Sequence, residues 1–231
     1  MTIPNVTQNE PTTSAGQYLA VPYNAFTGSP SKNDTILDGC LTLPNIFPVP
    51  LGSDMERKLA VAWWLNDPKN LSWEVWRGGT LVGVCGYTRI VAGLDALAHF
   101  AFWDRELLGR RTLLLKLMRW AFDNLGLQRI SAEIPEHLGP VIRFTRVKLG
   151  FRYEGETLAA RHPKVLGLEK AQINGPAKWT AKWGSRRESA FVDHDGNAHD
   201  VVCLRILKEE FDRNTEGVLA SPNAVNHLQA Q

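Results

Sequence analysis

The sequence predicts a mixed α/β domain of three layers, in which a central sheet lies between helices. Strand-like apolar runs cluster in the first half of the chain. After residue 104, further strand-like runs alternate with amphipathic helical ones. The 231 residues are enough to bury one sizeable hydrophobic core. We therefore expect a single main domain of the α/β class.

The middle of the chain carries a signal for each element. Ser53 and Asp54 are suited to cap a helix, and Pro68 follows its expected end. Gly78-Gly79 separates two apolar runs, which is typical of a β-hairpin. The predicted elements are a helix over 55–65, strands over 72–77, 80–90 and 94–103, a helix over 113–125, a strand over 129–134 and a short helix over 141–145.

Periodicity predicts the second of these helices. Leu113, Leu117 and Ala121 recur at the spacing of one helix face, and Gly126 ends the pattern. The strand that follows is apolar and stops at Pro135, which cannot donate a hydrogen bond to a sheet.

Composition narrows the class of protein. A net charge of +2 argues against nucleic acid or an anionic membrane as a partner. Three cysteines at scattered spacing form neither a disulfide framework nor a zinc site, so we expect a cytoplasmic protein without a metal. Residues 1–16 lack the basic start and apolar run of a secretory signal, and no segment has the length needed to span a bilayer.

The two ends of the chain differ in composition from its middle. Residues 1–35 are rich in Thr, Asn, Ser, Pro and Gln, and residues 214–231 have little to bury, so both are expected to be flexible. The domain is expected over 36–213. Either arm could become ordered on a protein partner.

An insert is expected over 157–189, where basic and aromatic residues mix. Stacking rings beside cations are typical of RNA contacts. A ribbon whose tryptophans cover one edge of the core is the preferred interpretation, and a lid over an acceptor site is a third. The residues concerned are Lys178, Trp179, Lys182, Trp183, Arg186 and Arg187.

A cationic turn joins a strand to a helix over 104–112. The first N–H groups of a helix have no partner within the helix, and the helix dipole favours an anion beside them. Arg105, Arg110 and Arg111 crowd the same turn. The sequence therefore predicts binding of a phosphorylated ligand.

Three segments in this order resemble the GNAT superfamily of N-acetyltransferases, and more narrowly its RimJ/RimL-like, ribosomal-protein-acetylating branch. E-L-L-G-R-R over 106–111 is similar to the family's pyrophosphate motif, R/Q-x-x-G-x-G/A. K-L-G-F over 148–151, followed by R-Y-E-G, resembles its K-x-G-F signature. D-G-N-A-H-D-V over 195–201 resembles the terminal hairpin. The similarity spans about residues 41–213.

The resemblance implies a fold, a cosubstrate and a reaction. The GNAT fold has a central mixed, mostly antiparallel twisted sheet flanked by helices. The implied reaction transfers acetyl from acetyl-CoA to a primary amine by direct attack, and the acceptor is a protein N-terminus, a lysine or a small amine. The residues implied to bind CoA are Phe102 and Trp103 for the pantetheine arm, and Leu108, Gly109, Arg110, Arg111 and Thr112 for the pyrophosphate turn.

The catalytic positions depart from the family pattern. The family's frequent Glu falls at Leu97, which cannot titrate. His99 lies two residues along on the same face of the strand and is the candidate base, with a hydrogen-bonded core histidine as the alternative. Glu133 is a candidate to hold the acceptor amine, with a surface carboxylate as the alternative. The family's thiolate-protonating Tyr corresponds to Arg146, which cannot act as an acid at neutral pH.

These departures leave a second hypothesis open. Arg111 stands where the family has a small residue that lets the backbone approach the pyrophosphate. Together with Leu97 and Arg146, it is consistent with a GNAT-shaped domain that has lost turnover and serves as a structural or assembly module.

Overall fold

The computed structural model describes residues 18–23, 30–43, 53–104, 110–154, 186–192, 197–216 and 219. Its strands are β1 (Tyr18–Pro22), β2 (Leu71–Arg77), β3 (Thr80–Val91), β4 (Asp95–Phe102), β5 (Arg129–Pro135), β6 (Arg152–Tyr153), β7 (Arg186–Val192) and β8 (Ala198–Leu207). Its helices are α1 (Pro30–Leu41), α2 (Asp54–Asn66), α3 (Arg110–Asn124), α4 (Gly139–Leu149) and α5 (Lys208–Thr215).

The strands form one mixed sheet in the order β1-β2-β3-β4-β5-β8-β6, and β7 also pairs with β8. β4 and β5 are parallel, and the other neighbouring pairs are antiparallel. The predicted mixed, mostly antiparallel sheet flanked by helices is confirmed.

Helices cover both faces of the sheet because strand side chains alternate between faces. On one face, α3, α4 and α5 pack on a core that includes Leu117 and Phe122 of α3, Leu149 of α4 and Phe211 of α5. On the other face, α1 and α2 pack against residues of β2, β3 and β4. This second cluster contains Ile36, Cys40, Val61, Leu65, Trp76, Leu81, Val84 and Ala101.

The local signals for α2 and the hairpin are confirmed. Ser53 is the N-cap of α2, where its side chain accepts from the Glu56 N–H and the Glu56 carboxylate accepts from the Ser53 N–H. The Gly78-Gly79 turn joins β2 to β3 with both glycines at positive φ, 55° and 79°. Such values are unfavourable for residues with a Cβ, which explains the two glycines.

The expected flexible arm over 1–35 contains two regular elements. Residues 18–22 form β1, which pairs along its whole length with β2, and residues 30–35 begin α1. The composition hides them because β1 is an apolar run of only five residues within a polar segment, and because the exposed positions described in α1 are polar. Tyr18, Ala20 and Ile36 are buried. Residues 1–17, most of the 157–189 insert and residues 220–231 lie outside the described residues. The end of the insert, 186–189, belongs to β7.

Helix α1 is held against the sheet by a buried ion pair and by a close packing contact. Lys32 Nζ lies 2.6 Å from Glu74 Oε1, and both side chains are at most 10% exposed. The Trp76 indole N–H also donates to Glu74. At Gly39, a Cβ would lie 2.4 Å from the ring of Trp103, just past the end of β4. The Trp103 ring can therefore pack in this position because Gly39 has no side chain.

No helix among the residues that the structure describes is long and apolar enough to cross a membrane.

We expect Gly39→Ala to lower the free energy of unfolding by about 1–3 kcal/mol, because the new methyl group would overpack the Trp103 ring. The higher helix propensity of alanine offsets part of this loss. Asp34→Ala, at an exposed position of the same helix, is the matched control and should change stability by less than about 0.5 kcal/mol. Chemical denaturation measures both. A Gly39→Ala protein as stable as the wild type would contradict this packing contact.

Candidate active site

The two central parallel strands separate after a short paired stretch. Asp95, Ala96 and Leu97 of β4 pair with Arg129, Ile130 and Ser131 of β5. Both strands then continue, β4 to Phe102 and β5 to Pro135. Among the described residues, no strand pairs with this side of β4 beyond Leu97, so backbone N–H and C=O groups of that edge face an opening.

The closed end of this opening is held by polar contacts between the two strands. Arg129 Nη2 of β5 lies 2.5 Å from Asp95 Oδ2 of β4. The Ser131 hydroxyl donates to Asp95 Oδ1 at 3.1 Å. The pair therefore stays closed at its amino-terminal end.

At the end of β4, the backbone N–H and C=O groups of successive residues point alternately to the two sides of the strand. The Trp103 N–H donates to the Val82 carbonyl of β3 at 3.2 Å, and the Trp103 indole N–H donates to the Leu81 carbonyl at 3.2 Å. Because the direction of backbone groups alternates along a strand, those of Phe102 face the opening. Of the two residues predicted to pair with a pantetheine arm, Phe102 has its backbone on that side and Trp103 has its backbone on β3.

His99 and Glu133 flank the opening on the same face of the sheet. Each lies two residues beyond the last paired residue of its strand, Leu97 or Ser131. Their neighbours Ala98 and Ala132 belong to the core on the opposite face. The structure thus brings together the two residues for which the sequence predicts a catalytic or acceptor-binding role.

The imidazole of His99 is partly buried and hydrogen-bonded. Its Nε2 lies 2.8 Å from the Thr88 hydroxyl of β3, and the Trp64 ring of α2 meets it edge-on at 5.6 Å. Burial, and secondarily the charge of Arg89, lowers the pKa of His99 to about 4. The ring is therefore neutral at pH 7, and one of its nitrogens is then an acceptor.

Glu133 is bound by two arginines. Its Oε1 lies 3.0 Å from Arg89 Nη1 of β3 and 2.8 Å from Arg187 Nη1 of β7. The Glu133 side chain is 22% exposed, whereas those of Arg89 and Arg187 are 65% and 51% exposed. One carboxylate thus anchors two solvent-facing guanidinium groups beside the opening.

The backbone of Arg89 is in an unfavourable conformation. Its φ of 49° is the one positive value among the described residues other than glycine, and the β3–β4 register shifts between Thr88 and Val91 at the same place. A left-handed backbone costs a residue with a Cβ roughly 1–2 kcal/mol, whereas an exposed ion pair contributes about 0–1 kcal/mol. Stability alone therefore does not explain this bulge, and such local strain is characteristic of functional sites.

The cationic turn before α3 is only partly described. Leu108 and Gly109 lie outside the described residues, and Arg110 begins α3. Arg111 Nε donates to the Lys148 carbonyl at 2.9 Å, so this guanidinium is held by the backbone at the end of α4. Thr112 is exposed in the same first turn.

A groove of about 580 Å³ lies among α3, α4 and α5, and none of the residues named above around the opening lines it except Arg111. Three of its four cations, Arg111, Arg146 and Arg152, make contacts within the protein. The Arg146 guanidinium lies 4.0 Å from the centre of the Tyr153 ring, and Arg152 pairs with Glu210. Arg146 and Lys148 also lie in the last turn of α4, where positive charge is favoured by the helix dipole. The groove is therefore explained by packing at a helix end.

Some residues of the site were missed by sequence reasoning. Thr88, Trp64 and Arg89 were not among the candidates, and Arg187 was interpreted as a cation of the insert. Arg89 escapes because a β-bulge, and not the pattern of the strand, directs it across β4. The described residues contain no group of three or more His, Cys, Asp and Glu side chains able to hold a metal.

Comparison of the sequence with protein-family models and with curated proteins finds no match. Solved structures do match. A probable acetyltransferase of the GNAT family from Chromobacterium violaceum superposes with a TM-score of 0.58 at 15% identity, over 92% of this chain and 98% of that chain. A GCN5-related N-acetyltransferase from Brucella melitensis gives 0.57 at 18% identity, over 95% and 90%.

A third similar structure contains ligands. It is spermidine N-acetyltransferase from Vibrio cholerae in complex with CoA and spermine, with a TM-score of 0.56 at 15% identity, over 84% of this chain and 98% of that chain. At these identities the likeness concerns the fold. The chain has the fold of the GNAT acetyltransferases.

Proposed function

We propose that the protein is an acetyl-CoA-dependent N-acetyltransferase that acts on a primary amine. The observation that carries this proposal is the opening between β4 and β5, where one strand edge is free of a partner strand beyond Leu97 among the described residues. The pantetheine arm of CoA is extended and contains amide groups, so it can hydrogen-bond to a strand edge as a further strand would.

The cosubstrate is proposed to bind along β4 and at the start of α3. The backbone of Phe102 pairs with the pantetheine arm near the end of the strand. Leu108, Gly109 and the first residues of α3 surround the pyrophosphate, whose charge is favoured by the helix dipole. Arg110 adds a charge-assisted contact, and Arg111 and Thr112 contribute backbone N–H groups.

The proposed reaction is a direct attack on the thioester. The amine nitrogen bonds to the acetyl carbon, the C–S bond breaks, and the electron pair leaves with the CoA thiolate. His99, directly or through water, accepts a proton from the attacking nitrogen, and Glu133 is the second candidate for a contact with the amine. A covalent route through Cys85 is disfavoured because complete burial raises the pKa of that thiol.

The finer assignments are proposals of the same kind. The acceptor is a protein N-terminus, a lysine or a small amine, and the RimJ/RimL-like branch rests on the three sequence segments. The V. cholerae neighbour, in complex with CoA and spermine, supports a CoA-type cosubstrate and an amine acceptor. We also propose a cytoplasmic location and an additional protein partner for the terminal arms.

A domain without turnover, serving as a structural or assembly module, is the second candidate function. It is favoured by the low pKa of His99, about 4, and by the apolar, buried Leu97 at the family's Glu position. By the sequence resemblance, Arg146 stands where the family has an acid, and its guanidinium contacts the Tyr153 ring.

We expect CoA to bind the wild type, and Arg110→Ala to weaken that binding by about 1–3 kcal/mol through loss of one charge-assisted contact. Gly109→Val should weaken CoA binding further by steric closure of the turn.

Calorimetric titration with acetyl-CoA gives the affinities of these proteins. Arg213→Ala, which removes an equal charge from an exposed position of α5, is the matched control and should bind like the wild type. Absence of binding to the wild type at millimolar ligand would rule out the enzymatic function, and normal binding by Gly109→Val would rule out this position for the pyrophosphate.

His99 makes stability depend on pH in a defined direction. Its folded pKa, about 4, lies below the value of about 6.5 for an unfolded histidine, so its contribution is complete above pH 6.5 and is lost as pH falls toward 4. The unfolding free energy of the wild type should therefore fall, relative to His99→Gln, by up to about 3 kcal/mol between pH 7 and pH 4. Denaturation at several pH values measures the difference. Parallel pH curves for the two proteins would contradict the lowered pKa.

The catalytic role of His99 has a separate test. Loss of a general base should lower kcat of His99→Ala by about a hundredfold or more, with CoA affinity nearly unchanged. Steady-state kinetics and calorimetry on the same sample separate these two effects. A normal kcat would exclude His99 as the base and leave water or Glu133 for that role.

A further inference from the structure

The two arginines that contact Glu133 have more hydrogen-bond donors than that contact uses. A guanidinium carries five N–H groups. Among the described residues, Arg89 and Arg187 each make one ion pair, and both end on the same Glu133 oxygen. Since both side chains are more than half exposed, the remaining N–H groups face solvent at the mouth of the opening.

The position of Arg89 is specified by the fold. Its left-handed backbone, φ 49°, and the register shift beside it turn the side chain across β4 toward Glu133 of β5. The free-energy cost of this backbone strain is larger than the stabilisation that an exposed ion pair contributes. Glu133 holds the two guanidinium groups in a fixed relation, and fixed donors bind a ligand with a smaller entropy loss than mobile ones.

The charges around the opening alternate in sign. Arg89 and Arg187 with Glu133 sum to +2 − 1 = +1. At the closed end, Arg129 contacts the carboxylates of Asp95 and Glu154, which sums to +1 − 2 = −1. On the other side, Arg186 pairs with Glu136 and Asp200, again −1. A polycation gains little binding energy at the net positive group of Arg89, Arg187 and Glu133. A molecule with one ammonium and one carboxylate instead matches the alternation of charges.

We propose that Arg89 and Arg187 form an acceptor subsite that selects amines bearing a carboxylate. The planar guanidinium matches a carboxylate by two parallel hydrogen bonds, so these residues bind the carboxylate while the amine reaches the thioester between β4 and β5. This inference rests on the proposed acetyltransferase function. It distinguishes the acceptor from spermine, the polyamine present in the V. cholerae structure.

The test is a matched series of acceptors with saturating acetyl-CoA. ω-Amino acids with one to five methylene groups are compared with their primary amides and with spermidine, by kcat/KM of CoA release. Two short peptides that differ only in Glu or Gln at the first position distinguish a protein N-terminus from a small molecule. We expect the best carboxylate-bearing acceptor to exceed its amide by about tenfold or more, as for one charge-assisted contact.

The variants Arg89→Gln and Arg187→Gln should each reduce that preference toward equality, mainly through KM. Lysine at either position should restore it in part, because it keeps the charge without the planar fork. Arg213→Gln, an equal charge change on α5, should keep the wild-type preference. Because Arg89 lies in a strained bulge, thermal unfolding checks each variant. Arg187 does not have a positive φ, so Arg187→Gln gives an independent result.

The outcomes separate this inference from the function on which it rests. Equal or better use of amides and spermidine by the wild type overturns the subsite and leaves the acetyltransferase standing. If CoA binds without turnover, the subsite is tested by calorimetric titration of the ω-amino acids into the complex of the protein with CoA. Binding that both glutamine variants lose supports the subsite, and no binding overturns it. Failure to bind CoA overturns the proposed function itself.

Discussion

The separation of β4 from β5 after three paired residues is the constraint on which the candidate site depends. Each strand must be held by its outer neighbour, because neither supports the other past Leu97. β3 pairs with β4 as far as Phe102, and β8 pairs with β5 as far as Pro135. Trp103, which follows β4, packs on Gly39 of α1. The opening is therefore a stable feature of the sheet, and a ligand that supplies backbone-like hydrogen bonds can fill it without rearranging either strand.

The bulge at Arg89 links the two sides of this opening. β3 lies on the far side of β4 from β5, yet the Arg89 side chain reaches Glu133 across that strand. The same charge acts on His99 and contributes to the lowering of its pKa. A single irregularity in β3 thus adds to the effect of burial on the imidazole and also contacts the carboxylate. This coupling explains why a strained residue persists where its ion pair alone would not stabilise it.

Local signals were sufficient for most of the fold and insufficient for most of the site. The Ser53 cap, the Gly78-Gly79 hairpin and the periodicity of α3 act within a few residues, so the sequence predicted them. β1 was missed because it is a run of only five residues within a polar segment, and because its stability comes from pairing with β2, far away in the chain. Thr88, Arg89 and Arg187 meet His99 and Glu133 only through strand order and register, which no short pattern encodes.

On the proposed function, the low pKa of His99 does not by itself prevent catalysis. A base with a pKa near 4 holds a proton only briefly, and an efficient base titrates near the working pH. The guanidinium charges of Arg89 and Arg187, however, disfavour an ammonium beside them and so lower the pKa of an approaching amine. A larger fraction of the acceptor is then already neutral when it reaches the thioester. The site therefore requires a weaker base than a site of opposite charge would. A neutral His99 that passes the proton to water is sufficient for this role.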